Sequence, residues 1–148
     1  MVVSSFQLRC FAWVRDALRN RPVMHIDIAD VMAMIEVESS FRPGVVSVDG
    51  HGSVGLMQVL PATARLLQMP GDQSDAQYSI ETGVKFLRYS YGVLLRRFGE
   101  VPPRRWIIAA YNAGPIAGVD RLDASLYFRK VDAAAVRWRA ALAHLTPV

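Results

Sequence analysis

Glutamate occurs only four times in this chain of 148 residues, as Glu36, Glu38, Glu81 and Glu100, and lysine only twice, against fifteen arginines and nine aspartates. Glutamate chemistry therefore has few places to live. Cysteine occurs once, so no disulfide closes within the chain; Cys10 lies on an apolar helical stripe and reads as a buried, inert thiol. The three histidines, His25, His51 and His144, lie far apart without a partner at ligand spacing, which argues against a metal site. No P-loop, glycine-rich dinucleotide turn or nucleophile elbow is present, and no cofactor is expected. The longest charge-free run, residues 50–64, contains three glycines, a histidine and a proline. It cannot supply the roughly 20 apolar residues that cross a bilayer. The first twenty residues do not read as a secretory signal either, because Arg9, Arg15 and Asp16 interrupt any apolar stretch.

Apolar residues make up 52% and charged residues 20%, the latter below the roughly 25% of typical soluble domains. That balance excludes disorder and suits one domain over residues 1–148, long enough to bury on the order of 70% of its unfolded surface. The formal charge of +4 favours anionic partners. The arginines are scattered, however, with only the doublets Arg96-Arg97 and Arg104-Arg105, and no helix-turn-helix pattern appears. Nucleic acid is therefore not an expected partner.

The chain reads as helices divided by strong punctuation. Phe6, Cys10, Val14 and Ala17/Leu18 follow helical spacing, with Ser4 or Ser5 as cap. Asp27 caps a second helix to about residue 39, apolar on most of its circumference and so suited to the centre of a core. An irregular stretch follows over residues 43–59. Pro61 then opens a short helix. Ile80, Val84, Leu87, Tyr91, Leu94 and Phe98 step by three and four until Gly99 stops the run. A further apolar helix is expected over 106–113, ended by Gly114-Pro115, and Asp132 is expected to cap a last helix through Val136 and Leu142. The expectation is an all-α domain with at most a short β-hairpin within residues 45–59.

Two carboxylates close the most apolar helix, in Glu36-Val37-Glu38-Ser39-Ser40-Phe41. A glutamate at the mouth of an apolar environment has its pKa raised toward neutrality, as glycosidic bond cleavage requires. Two residues along a helix is a rotation of about 200°, so the pair cannot share one cleft. Glu38 sits one turn from Met34 and Ile35, whereas Glu36 lies over Ala29, Met32 and Ala33, a smaller surface. This favours Glu38 as the desolvated acid; the alternative is that one or both simply end the helix in water. Glu81, on the polar side of the long helix, and Glu100, beyond its stop, read as solvated.

Three further segments accompany Glu38-Ser39 and the aromatic Phe41: Ser47, then Gly55-Leu56-Met57-Gln58, then the AYNAGP run at 110–115 with Tyr127 beyond it. In this order the chain resembles the soluble lytic murein transglycosylase (SLT) catalytic domain of the lysozyme-like superfamily, over a motif-bearing core of about 27–131. The resemblance implies a lysozyme-like (goose-type/SLT) single domain acting on peptidoglycan. It implies non-hydrolytic cleavage between N-acetylmuramic acid and N-acetylglucosamine, with Glu38 as acid and then base. It also implies substrate-binding roles for Ser47, Gly55, Met57, Gln58, Tyr111, Asn112 and Tyr127. Ser47 has an alternative as a loop serine bonding its own backbone, and Met57 as a core methionine. The periplasm or cell envelope is the location that such a substrate implies, and a monomer the expected state.

The chain departs from the family pattern in three places. Glu36 stands where relatives often have arginine. The stretch from Ser47 to Gln58 is longer than the commonest form, placing Asp49 and His51 on an enlarged loop. Asp123-Ala124 stands where many relatives have Glu-Thr. Asp49 opens a second reading, a goose-type-like muramidase in which it orients a water. A third is a catalytically weak peptidoglycan-binding component of a secretion, pilus or phage apparatus.

Overall fold

The structure, a computed structural model, describes residues 1–145. Among the described residues seven helices follow in order: α1 (Ser5–Asn20), α2 (Ile28–Ser39), α3 (Pro61–Leu66), α4 (Ala76–Phe98), α5 (Arg104–Ala113), α6 (Val119–Asp123) and α7 (Leu126–Leu142). No strand forms among the described residues. The hairpin allowed within 45–59 reduces to two isolated antiparallel bridges, Val46 to Val54 and Val54 to Val59.

Local chemistry sets most helix ends. Ser4 and Gln7 exchange side-chain and backbone hydrogen bonds in a capping box at the start of α1, and Asp27 and Asp30 do the same for α2. Pro61 occupies the first turn of α3. Asp75 caps α4, and Gly99, at φ +71°, ends it in the left-handed conformation.

The centre belongs to α2. Val31, Met32, Ala33, Met34 and Ile35 are fully buried, because α7 covers one side of the helix with Val131, Ala134, Ala135 and Trp138, and α1 packs on another. α1 also lies along α4, and α5 bridges α4 to α6 and α7. An ion-pair cluster around the buried Asp30 ties the start of α2 to α5 and α7. Asp30, 1% exposed, accepts from Arg104 at 2.6 Å and from Arg139 at 3.3 Å, while Arg104 also reaches Asp132 at 2.7 Å.

That cluster corrects one expectation. Asp132 does not cap the last helix: α7 begins at Leu126, with the Ser125 hydroxyl accepting from the Phe128 N–H at 3.0 Å. Asp132 lies inside α7, where its carboxylate faces Arg104. α5 likewise starts two residues before the expected Trp106, and the five-residue α6 was not foreseen. Cys10 is buried, and burial pushes its thiol up to about 12. No helix among the described residues is long and apolar enough to cross a membrane.

Candidate active site

Glu38 occupies the last turn of α2, where the core helix meets the irregular segment. The exit is fixed on three sides. The buried Ser39 hydroxyl donates to the Ile35 carbonyl at 3.1 Å. Ser40 and Phe41 both adopt left-handed conformations, at φ +51° and +60°, which turns the chain sharply off the helix. The Phe41 ring then packs on Trp138 of α7, with centroids 5.4 Å apart. Non-glycine residues in that region carry strain, and the Trp138 contact holds the turn in place.

The carboxyl opens into a cavity of about 380 Å³. Ser47, Asp49, His51 and Ser53 of the loop form one part of its lining, and Gln58, Leu60, Tyr111 and Asn112 the remainder. Desolvation pushes Glu38 up to about 8, from an ordinary value of 4.5. No hydrogen bond or ion pair to another side chain compensates a charge on it among the described residues. Such a group carries its proton at neutral pH and can donate it to an oxygen in the cavity. Its neighbour Glu36 faces the other way, bound by Arg137 of α7 at 2.7 and 3.3 Å.

Tyr111 and Tyr127 stack with centroids 6.4 Å apart and planes 14° from parallel. Burial first, and then the nearby Glu38 carboxyl, pushes both phenols well above their usual value. The Tyr111 hydroxyl donates to the Met57 carbonyl at 2.6 Å. The Tyr127 hydroxyl is buried without a hydrogen-bond partner among the described residues. Tyr127 thus adjoins Glu38 electrostatically without lining the cavity.

The other expected residues divide. Gln58, at φ +49°, lines the cavity and donates through Nε2 to the carbonyls of Val45 and Gly55, both at 3.0 Å. Asn112 lines it from the exposed end of α5. The Ser47 hydroxyl also lines it, but accepts from the Asp49 N–H at 3.3 Å, the local loop bond weighed as its alternative. The Met57 side chain is fully buried against Gly83 of α4, and its N–H meets the Ser79 hydroxyl at 3.2 Å. Gly55, at φ +84°, is buried where an added Cβ would lie 2.0 Å from the Gln73 carbonyl oxygen. Both residues therefore shape the wall from behind.

Asp49 is fully exposed; the Ser47 hydroxyl and then the His51 N–H hold its carboxylate below the usual range. Asp123 lies away from the cavity and accepts from Trp106 Nε1 at 2.7 Å and Arg105 at 3.2 Å. Ser53 and Leu60 also line the cavity, and no motif in the chain marks either of them. A larger groove of about 650 Å³, between the ends of α1 and α3 and the outer face of α4, holds no carboxylate and offers no acid chemistry.

Comparison with known proteins identifies the family and the fold. The family model for the transglycosylase SLT domain matches residues 22–125. The soluble lytic murein transglycosylase of Salmonella typhimurium is 36% identical over 93 residues, covering 57% of this chain and 13% of that protein. The crystal structure of the 70 kDa soluble lytic transglycosylase from Escherichia coli superposes with a TM-score of 0.60 at 24% identity, covering 86% of this chain and 24% of that one. The chain spans a small part of both relatives, and the second bears out the all-α, lysozyme-like fold. By the match over most of its length, the chain belongs to the transglycosylase SLT domain family.

Proposed function

We propose that residues 1–148 form a single lytic transglycosylase domain that cleaves the β-1,4 bond between N-acetylmuramic acid and N-acetylglucosamine in peptidoglycan without water. Glu38, protonated at neutral pH, gives its proton to the glycosidic oxygen as the bond from the anomeric carbon breaks. The resulting carboxylate then takes the proton of the muramic acid 6-hydroxyl as that oxygen closes on the anomeric carbon, leaving a 1,6-anhydro end. One protein carboxyl serves both steps, unlike the acid and base pair of two-carboxylate glycosidases.

The observation that carries this reading is a lone, desolvated Glu38 in a polar-lined cavity at the end of the core helix. Gln58, Asn112 and the Ser47 hydroxyl are the polar groups for the sugar N-acetyl and hydroxyl groups. Tyr111 supplies aromatic surface, and Tyr127 a hydroxyl beside the acid. Gly55 and Met57 support the wall. The substrate places the protein at the cell envelope, acting as a monomer.

A second reading is hydrolysis of the same bond, favoured by Asp49, an ionised carboxylate lining the same cavity and able to orient a water. Digestion of purified sacculi by the protein and by Glu38→Gln, with mass analysis of the fragments, separates the readings. Anhydro ends that disappear in the variant support transglycosylation, and reducing ends support hydrolysis. Binding without fragments leaves a peptidoglycan-binding component of a secretion, pilus or phage apparatus.

A further inference from the structure

Asn112 enters the Glu38 cavity from the last turn of α5, and its side chain has no hydrogen-bond partner among the described residues. The adjacent Tyr111 is pinned by the Met57 carbonyl and by its stacking partner Tyr127. Where the Asn112 amide sits is therefore set by the end of the helix. Helix ends fray unless something holds their last carbonyls and the chain that follows.

The five residues that follow, Gly114-Pro115-Ile116-Ala117-Gly118, join α5 to α6 and hold themselves weakly. Gly114 leaves the helix at φ +90°, and an added Cβ there meets nothing within 4 Å, so glycine serves the backbone and not packing. Ile116, in the middle, is 81% exposed. One backbone bond closes the connection on itself, from the Ala117 N–H to the Gly114 carbonyl at 3.2 Å. No backbone N–H among the described residues reaches the carbonyls of Pro115 or Ala117. Arg97, in the last turn of α4, takes both: its Nη1 donates to them at 2.5 and 3.1 Å.

Arg97 has no carboxylate partner among the described residues, unlike Arg104, Arg105, Arg137 and Arg139. Its guanidinium also lies over the Phe98 ring, 4.8 Å from the centroid, and Phe98 packs on Trp106 in the first turn of α5 at 5.0 Å. Trp106 in turn donates to Asp123 at the end of α6. One corner of α4 thus grips α5 where it begins and the connection where α5 ends.

We infer that Arg97 is a positioning residue for the Glu38 cavity: by clipping the 114–118 connection to α4, it fixes the last turn of α5 and so the place of Asn112. The inference rests on the reading above, in which Asn112 contacts the sugar.

The test is a double-mutant cycle on soluble glycan strands, with Arg97→Gln, Asn112→Ala and the two combined. Arg97→Gln raises KM roughly fivefold, the scale of one lost hydrogen bond, with a smaller change in kcat. In the combined variant KM equals that of Asn112→Ala alone, because the clip has nothing left to position. Arg97→Lys, which keeps a donor for the carbonyls, recovers most of the loss. An unchanged KM in Arg97→Gln overturns the inference. So do factors that multiply in the combined variant, since a contact that only stabilises the fold acts independently of Asn112. Amide hydrogen exchange adds a measurement that needs no substrate. Arg97→Gln speeds exchange over residues 110–114 roughly fivefold and leaves α2 unchanged; an even rise across every helix, or none at 110–114, overturns the inference. If wild type binds the strands without cleaving them, the cleavage reading falls, and the same cycle on Kd decides the role of Arg97 by the same criteria.

Discussion

Arg137 of α7 grips Glu36 through two hydrogen bonds, of 2.7 and 3.3 Å, on the side of α2 opposite the cavity that receives Glu38. Two glutamates two positions apart are thereby assigned to different surfaces. An ion pair this exposed contributes at most about 1 kcal/mol. Glu36→Gln is expected to keep turnover within about twofold of wild type, while Glu38→Gln lowers it by roughly 100-fold or more, the range of a lost general acid. Fragment release from sacculi measures both. Loss of turnover in the Glu36 variant alone would reverse the assignment.

Burial holds Glu38 near 8, so the donor form is filled at neutral pH and empties as pH rises through that value. The kcat/KM is expected to fall about tenfold per pH unit on the alkaline side. A profile that instead breaks near the ordinary carboxylate value of 4.5 would mean that Glu38 is solvated in the working protein.

The same shift acts on stability. Below pH 4.5 the folded and unfolded chains both hold the proton, and Glu38 costs nothing. Between 4.5 and about 8 only the folded chain holds it, so stability declines as pH rises, and above about 8 the loss is complete. Glu38→Gln, which never ionises, is expected to unfold at higher temperature than wild type at pH 8, by an equivalent of roughly 2 kcal/mol once residual solvent access is allowed for. The two proteins should converge at pH 4. Equal stability at both pH values would contradict a desolvated carboxyl.

Gly55 and Gly50 have nearly the same backbone, at φ +84° and +86°, but different surroundings. At Gly50 nothing lies within 4 Å of an added Cβ, so Gly50→Ala should cost about 1 kcal/mol of left-handed strain. At Gly55 the Gln73 carbonyl oxygen lies 2.0 Å away and belongs to backbone. Gly55→Ala is expected to cost about 3 kcal/mol or more, lowering the melting temperature by about 10 °C. Similar losses for both would remove the claim that Gly55 is a packing requirement.

Where one residue's chemistry settles the outcome, the fold was legible in the chain. Ser4, Asp27, Pro61 and Gly99 mark helix ends at the positions where the helices begin or stop. Asp132 misled, because an aspartate ahead of an apolar run resembles a cap. The competing signal, Ser125 about two turns earlier, caps the helix instead, while Arg104 from a distant helix holds the Asp132 carboxylate. The five residues of α6 are too few to show a period. At the site, helical rotation showed that Glu36 and Glu38 cannot share one cleft, while the preference for Glu38 came from its apolar neighbours and the family pattern. The inward turn of Met57 did not, since it depends on the space above Gly83, twenty-six positions away in the chain.

Asp30 and Glu38 stand at opposite ends of α2, and the helix treats them oppositely. Its aligned peptide dipoles place partial positive charge at the first turn, where Asp30 lies beside Arg104, and partial negative charge at the last, beside Glu38. Burial is the main cause that keeps Glu38 protonated, and the backbone field of α2 acts in the same direction. The helix that carries the acid to the cavity thus also helps to keep it loaded. Once the proton leaves, the helix terminus favours its return, which is the reset that the proposed role of Glu38 as acid and then base requires.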